Sequence, residues 1–369
     1  MSGLGELAGL FLRLGVTSFG GPAVHIAMLR DEVVRRRGWV DDQRFLDMVG
    51  ATSLIPGPNS TELAMHLGQE RAGWRGLLVA GFGFIVPAVL VVLGLAVLYD
   101  RYGTTPAGTA LLYGVKPVII AIVGAALLPL TRAALRRSGL LVAVAACALF
   151  LAGVDELVLL VAGGLAVLAV RTVPGRPGAR SRSRRCWRFT ERAPDGELLR
   201  LFGLFLRTGA VLYGSGYVLP AFLRADLVDR LGWLSDAQLL DAVAIGQFTP
   251  GPVFTTATFV GYLVAGLPGA VLATVGIFAP SFAFVAVLGW LLPRVRDREW
   301  SAALLDGVNG ASLGLMAGVL LQLGSDVLGD PLTALVAVVA ALLLWRTNLN
   351  SAWLVAGGAV TGVLAGAVG

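Results

Sequence analysis

Lysine occurs once among the 369 residues, at Lys116, against 28 arginines. Charge as a whole is scarce: 14% of residues are Asp, Glu, Lys or Arg, where soluble domains carry roughly a quarter. With 56% hydrophobic residues and a mean hydropathy of +0.80, the apolar runs are too many and too long for a soluble core. The chain reads as an all-α integral membrane protein. Cysteine and histidine occur twice each. Cys147 lies in an apolar run and Cys186 in a basic one, which excludes a disulfide framework. With only His25 and His66 beside them, no ligand set for a metal is visible either. No Walker A pattern is present to bind ATP, and no His-Glu-x-x-His, so neither an ATP-driven pump nor an enzyme is expected, and no cofactor. The first apolar run has Glu6 before it and Arg13 inside it, instead of a basic start, so it is expected to be a retained membrane segment.

The net charge of +6 is unevenly spread. From Arg171 to Arg192 lie eight arginines against the single acid Glu191, with Pro174, Gly175, Pro177 and Gly178 among them. By the positive-inside rule this run is a cytoplasmic linker. Contact with anionic membrane lipid is the expected use of its charge, and nucleic-acid binding is not.

The chain is written twice. "LFLR" at 10–13 recurs at 204–207, Gly38-Trp39 matches Gly232-Trp233, Asp47 matches Asp241, and Pro56-Gly57-Pro58 matches Pro250-Gly251-Pro252. After one deletion Gly68, Gly76 and Pro87 face Gly261, Gly269 and Pro280, and "GVKP" at 114–117 faces "GVNG" at 307–310. Coincidences in such register mean a duplication. The expected division is a first membrane repeat at 1–171, a linker at 172–195 and a second repeat at 196–369. Five spans are expected per half: 4–28, 76–99, 109–131, 139–153 and 156–171, then 197–222, 268–293, 302–324, 331–346 and 350–368. A further segment at 43–67, and again at 237–262, carries the Pro-Gly-Pro and is expected to be re-entrant. A full crossing there would place Arg132, Arg136 and Arg137 outside, against the arginine bias. An odd count inverts the second half, giving ten spans with both termini outside. Inverted repeats are the architecture of many secondary transporters, with the site near the midplane between them.

Cations inside apolar runs mark that site. Arg13 and Arg207 occupy matching positions, and Lys116 lies within its segment. A cation near the bilayer centre costs about 2.5–3.5 kcal/mol on insertion scales, so each should face a partner or a wet cavity. Three of them suggest an anion site, although snorkelling would also satisfy them, and for Lys116 an internal carboxylate partner such as Glu62 or Asp47 would do so. After the first Pro-Gly-Pro come Asn59, Ser60, Thr61 and Glu62, which read as an N-cap with a capping box restarting a helix. After the second come Thr255 and Thr256. A helix restarting at membrane depth points free N–H groups and its positive dipole end at the cavity. Glu62 has a rival reading as a proton-coupling group. "TSFGGPAVH" and "YGSGYVLP" place Gly20, Gly21 and Gly216 where backbone can approach closely or a helix can break. His25, which could titrate near neutral pH, is a second proton-coupling candidate, with a satisfied structural histidine as the alternative reading. Asp47 and Asp241 are expected in the first turns of their helices, where acids favour the N-terminus.

Together "FGGPAVH", "IPGPNSTEL", "YGVKP", "YGSGYVLPAFL" and "FTPGPVFTTATFVGYLVAGLPGA" resemble the long-chain, two-domain form of the chromate ion transporter family. The resemblance covers nearly the whole chain apart from the linker. It implies a multi-pass protein of the bacterial inner membrane that exports chromate and gives chromate resistance. Relatives are described as secondary transporters, and some are linked to sulfate, a tetrahedral dianion of similar shape. An anion channel on the same scaffold is the alternative, and a homodimer is expected only from the general habit of membrane transporters.

Overall fold

The computed structural model describes all residues except 1, 20, 136–138, 173–195, 214–217, 296–298, 348, 350 and 369. The expected linker therefore lies outside the described residues, as do Gly20 and Gly216. Among the described residues every element is a helix. The first half contains α1 (Ser2–Thr17), α2 (Gly21–Arg30), α3 (Asp42–Thr52), α4 (Asn59–Tyr102), α5 (Pro106–Leu135), α6 (Gly139–Leu151) and α7 (Glu156–Thr172). The second contains α8 (Glu197–Val211), α9 (Leu219–Leu223), α10 (Asp236–Phe248), α11 (Thr256–Val295), α12 (Glu299–Val327), α13 (Pro331–Arg346) and α14 (Ser351–Val368). A π-helical turn follows α2 at Asp31–Arg36 and, at the matching place, α9 at Arg224–Arg230. Such turns are rare and recur at functional sites.

Four stretches are long and apolar enough to cross a membrane: Asn59–Tyr102, Pro106–Ala125, Val253–Leu288 and Ala303–Ser325. Shorter apolar helices accompany them, and large side chains such as Leu141, Val144 and Leu90 point outward, as a hydrocarbon environment permits. The chain is a multi-pass membrane protein.

The expected single span at 4–28 is replaced by a hairpin. α1 ends at Thr17 and α2 returns, so that Arg13 meets Glu32 at 2.5 Å and Arg37 meets Glu6. These ion pairs hold the two ends of residues 6–37 together, so the N-terminus and the 37–44 loop lie at one end. That corrects the expectation of five full crossings per half and of an N-terminus on the face opposite this loop. α3 and the first arm of α4 (59–71) form a second hairpin, pinned where Arg44 meets Glu70 at 2.9 Å. Arg37 and Arg71 both stack over the Trp39 ring, at 5.3 and 5.2 Å, which joins the open ends of the two hairpins.

α4 then reverses direction at Ala72 and Gly73, and α11 does so at Ala265 and Gly266 with nearly the same angles. Gly73 and Gly266 have φ of 62° and 61° with open space around them. Glycine is there for its backbone freedom, not its size. Size matters instead at Gly68 with Gly76 and at Gly261 with Gly269, whose backbones touch across each reversal.

The halves interlock through small residues. Gly114 of α5 lies against Gly358 and Gly362 of α14, while Gly307 of α12 lies against Gly163 of α7. Each half thus gives its last hairpin to the other, and backbone approach at glycine replaces the hydrophobic drive that lipid removes.

Candidate functional site

Four interruptions of helix meet at the centre. The two Pro-Gly-Pro segments follow α3 and α10, and the other two breaks follow α1 and α8. The Gly57 N–H donates to the Leu212 carbonyl at 2.8 Å, and the Gly251 N–H donates to the Ser18 carbonyl at 2.9 Å. Gly57 corresponds to Gly251 and Ser18 to Leu212, so the two bonds are equivalent under exchange of the halves. Each Pro-Gly-Pro tip is closed by the broken helix of the opposite half. Gly57 has φ of 134° and Gly251 of 91°, conformations that only glycine adopts without strain.

At the first tip the expected capping box is absent. Pro58 is the N-cap and no side chain caps the helix, because proline already fixes the entry and Asn59 is inside the first turn. The N–H groups of Asn59 and Ser60 have no partner within the helix. Ser60 instead serves His25. The Ser18 carbonyl can only accept, so His25 Nε2, at 3.0 Å, carries the proton, and Nδ1 then accepts from the Ser60 hydroxyl at 3.2 Å. His25 packs edge-on against Phe84. Thr61, Glu62 and Ser281 are completely buried. The Thr61 hydroxyl has no hydrogen-bond partner among the described residues, and the Ser281 hydroxyl lies at the Glu62 carboxyl.

The second tip is more self-contained. A 3₁₀ turn at Val253–Thr255 precedes α11. The Thr255 hydroxyl donates to the Pro252 carbonyl at 2.7 Å and that of Thr256 to Val253 at 2.8 Å. These hydroxyl protons are spent inside the turn. The capping box belongs to α10, between Ser235 and Gln238, and α3 is capped by Asp41. Asp47 and Asp241 therefore lie beyond the first turns where they were expected.

Asp241 has another partner. Lys116 Nζ lies 3.1 Å from Asp241 Oδ1, and the Tyr99 hydroxyl donates to Oδ2 at 2.8 Å. The carboxylate of the second half thus neutralises the lysine of the first. Asn309 and Leu292 stand at the places matching Lys116 and Tyr99, so this cluster exists once. Arg13 and Arg207 do not join it. Arg13 pairs with Glu32, as described, and Arg207 pairs with Asp226 at 2.6 Å. Glu32 and Asp226 are matching residues of the two π-helical turns. The structure thus brings Gly57, Ser60, Thr61, Glu62, His25 and Gly251 to one place, while Lys116, Arg13 and Arg207 each face a carboxylate. Ser281, Tyr99 and the pairing role of Asp241 escaped the sequence reading. The unmatched Lys116 in an otherwise duplicated motif was the available signal.

The family model for chromate transporters matches residues 5–168 and again 199–363. The chain belongs to the chromate transporter family. This family member is 32% identical over 384 residues to the chromate transport protein of Cupriavidus metallidurans, covering 98% of this chain and 93% of that protein. It is 32% identical over 371 residues to the chromate transport protein of Pseudomonas aeruginosa, covering 94% and 88%. The probable chromate transport protein of Synechococcus elongatus is 29% identical over 354 residues, covering 93% and 90%. No solved structure matches the chain. One Gly-x-Ser-x-Gly match exists in this chromate transporter family member, at residues 310–314. It lies inside α12 with Ser312 buried, not on the strand-to-helix turn that makes such a serine a nucleophile.

Proposed function

We propose that this protein is a secondary transporter that carries chromate out of the cytoplasm across the bacterial inner membrane, giving chromate resistance. The observation that carries the reading is the reciprocal pair of hydrogen bonds from Gly57 to Leu212 and from Gly251 to Ser18. Two equivalent closures, one for each half, are what alternating access requires. The substrate passes when one parts and the other holds.

Helix directions support an inverted relation of the halves. Along α5 and α14, Ala110 touches Gly366, and further on Gly114 touches Gly358, so the helices run in opposite directions. Across α4 and α11, Gly57 lies by Ser281 and Gly251 by Ala88. An axis in the membrane plane follows, with the Pro-Gly-Pro hairpins re-entrant and their tips at the midplane. A dianion would take the N–H groups of Asn59 and Ser60 left open by the helix, the positive end of the α4 dipole, and the hydroxyls of Thr61 and Ser281. Lys116 is the cation it would draw from Asp241. Arg13 and Arg207 instead latch the hairpins. No covalent chemistry is needed: a dianion leaving a negative interior gains about 4.6 kcal/mol per 100 mV, twice the value for a single charge.

The test is chromate flux in vesicles with sulfate as competitor, together with labelling of single cysteines placed at Asp41 and Ser235 after Cys147 and Cys186 are replaced by alanine. Saturable chromate flux inhibited more weakly by sulfate, and labelling of the two cysteines from opposite faces, are expected. Labelling from the same face would reject the inverted relation, and non-saturating flux would make the protein a channel.

A further inference from the structure

Glu62 lies on the first turn of α4, fully buried, with the Ser281 hydroxyl of α11 at its carboxyl and no ion pair among the described residues. Ser281 of α11 faces it, and the α-carbon of Gly57 leaves no room for a further atom between the two. The cations that could have balanced it are engaged elsewhere among the described residues: Lys116 with Asp241, Arg13 with Glu32, Arg44 with Glu70 and Arg207 with Asp226. An ionised carboxylate taken from water without a counter-charge is strongly disfavoured. The titratable groups on the surrounding elements do not supply one. His25 of α2 is held between the Ser18 carbonyl and the Ser60 hydroxyl. Tyr213, after α8, gives its hydroxyl proton to the Leu54 carbonyl. His66 lies a turn further along α4, and Asp47 of α3 accepts from Gln43.

The second half has no such group. By the register of the following glycines, Thr255 stands opposite Glu62. One carboxyl therefore serves both orientations of the molecule, and it sits in the turn where the dianion would bind.

We propose that Glu62 is the proton site of the transport cycle, protonated whenever the dianion is seated and ionised only once the dianion has left and water has entered the opened turn. This rests on the transport reading above. The proton enters from the same aqueous side as the substrate, resides on Oε1 or Oε2, and is released with it to the other side. One dianion and one proton cross together, with a net charge of −1, so the membrane potential acts on half the charge counted above for the bare dianion.

The experiment uses the purified full chain in proteoliposomes, in alkaline buffer where chromate is the dianion, with the membrane potential clamped at zero. A pH difference of one unit is worth about 1.4 kcal/mol, so one coupled proton should concentrate chromate about tenfold on the alkaline side. A pH dye should register one proton per chromate. Glu62→Gln keeps the shape and holds no titrating proton. That variant is expected to retain chromate–chromate exchange while losing both the accumulation and the proton signal. Wild-type flux without proton movement would overturn the proposal with no variant needed, as would proton movement that persists in E62Q. Flux that requires sodium ions would assign the carboxyl to a metal cation and overturn it too. Absence of any chromate flux in the wild type would refute the transport reading instead.

Discussion

Removing the Lys116 ammonium is expected to destabilise the protein as well as stop transport, and the two effects can be separated. Lys116→Ala leaves Asp241, whose side chain is 5% exposed, with only the Tyr99 hydroxyl as partner. Breaking a buried pair in this way costs about 3–5 kcal/mol, which thermal unfolding in detergent would report. Removing both charges, as Lys116→Met with Asp241→Asn, abolishes the uncompensated carboxylate and is expected to recover most of the stability, since such replacements are often neutral. The double variant should nevertheless fail to move chromate, because the dianion then meets no cation. A folded double variant with full chromate flux would remove Lys116 from the substrate site.

Substitution at the two tips is expected to act on closure. Alanine at Gly57 must adopt a φ of 134°, and its β-carbon meets the Glu62 carboxyl and the Ser281 hydroxyl. At Gly251 the φ is 91° and the β-carbon lies 2.7 Å from that of Ala88. Backbone strain of about 1–3 kcal/mol combines with overpacking of about 1–3 kcal/mol, and both fall on the Gly57–Leu212 and Gly251–Ser18 bonds. Chromate flux should be lost in either variant. Gly38→Ala supplies the comparison: φ is 59° there, but nothing lies within 4 Å, so strain alone is added and flux should survive. Normal flux in G57A would show that the reciprocal bonds are not what closes the path.

The duplication and the two Pro-Gly-Pro breaks were legible because proline and glycine act locally, whereas the glycines at 20–21 and 216 left a close approach and a break equally open. Both Pro-Gly-Pro tips stand where the sequence puts them. The Ala-Gly reversals at 72–73 and 265–266 were equally visible, between glycines already matched, yet an apolar run gives no sign that a helix doubles back. The folding of 4–28 into a hairpin was hidden for another reason. It depends on Arg13 reaching Glu32 and Arg37 reaching Glu6, contacts between residues that look like solvated charge when read along the chain. With that span gone, counting crossings no longer yields the inversion, which becomes a proposal argued from the opposed directions of α5 and α14. Lys116 could be singled out as anomalous, but its partner lies in the other half. Only packing could choose Asp241 over Glu62 or Asp47.

The reciprocity of the tips has a thermodynamic consequence. If the halves were identical, exchanging their roles would convert an inward-facing molecule into an outward-facing one of equal free energy, and the empty carrier would divide its time evenly. Any preference must come from positions where the repeats differ. At the centre these include Lys116 against Asn309, Glu62 against Thr255, Ser18 against Leu212 and Ala88 against Ser281. Each 1.4 kcal/mol of asymmetry biases the resting orientation tenfold. In the proposed cycle, the direction in which the empty protein waits is thus set by the positions at which the two repeats differ.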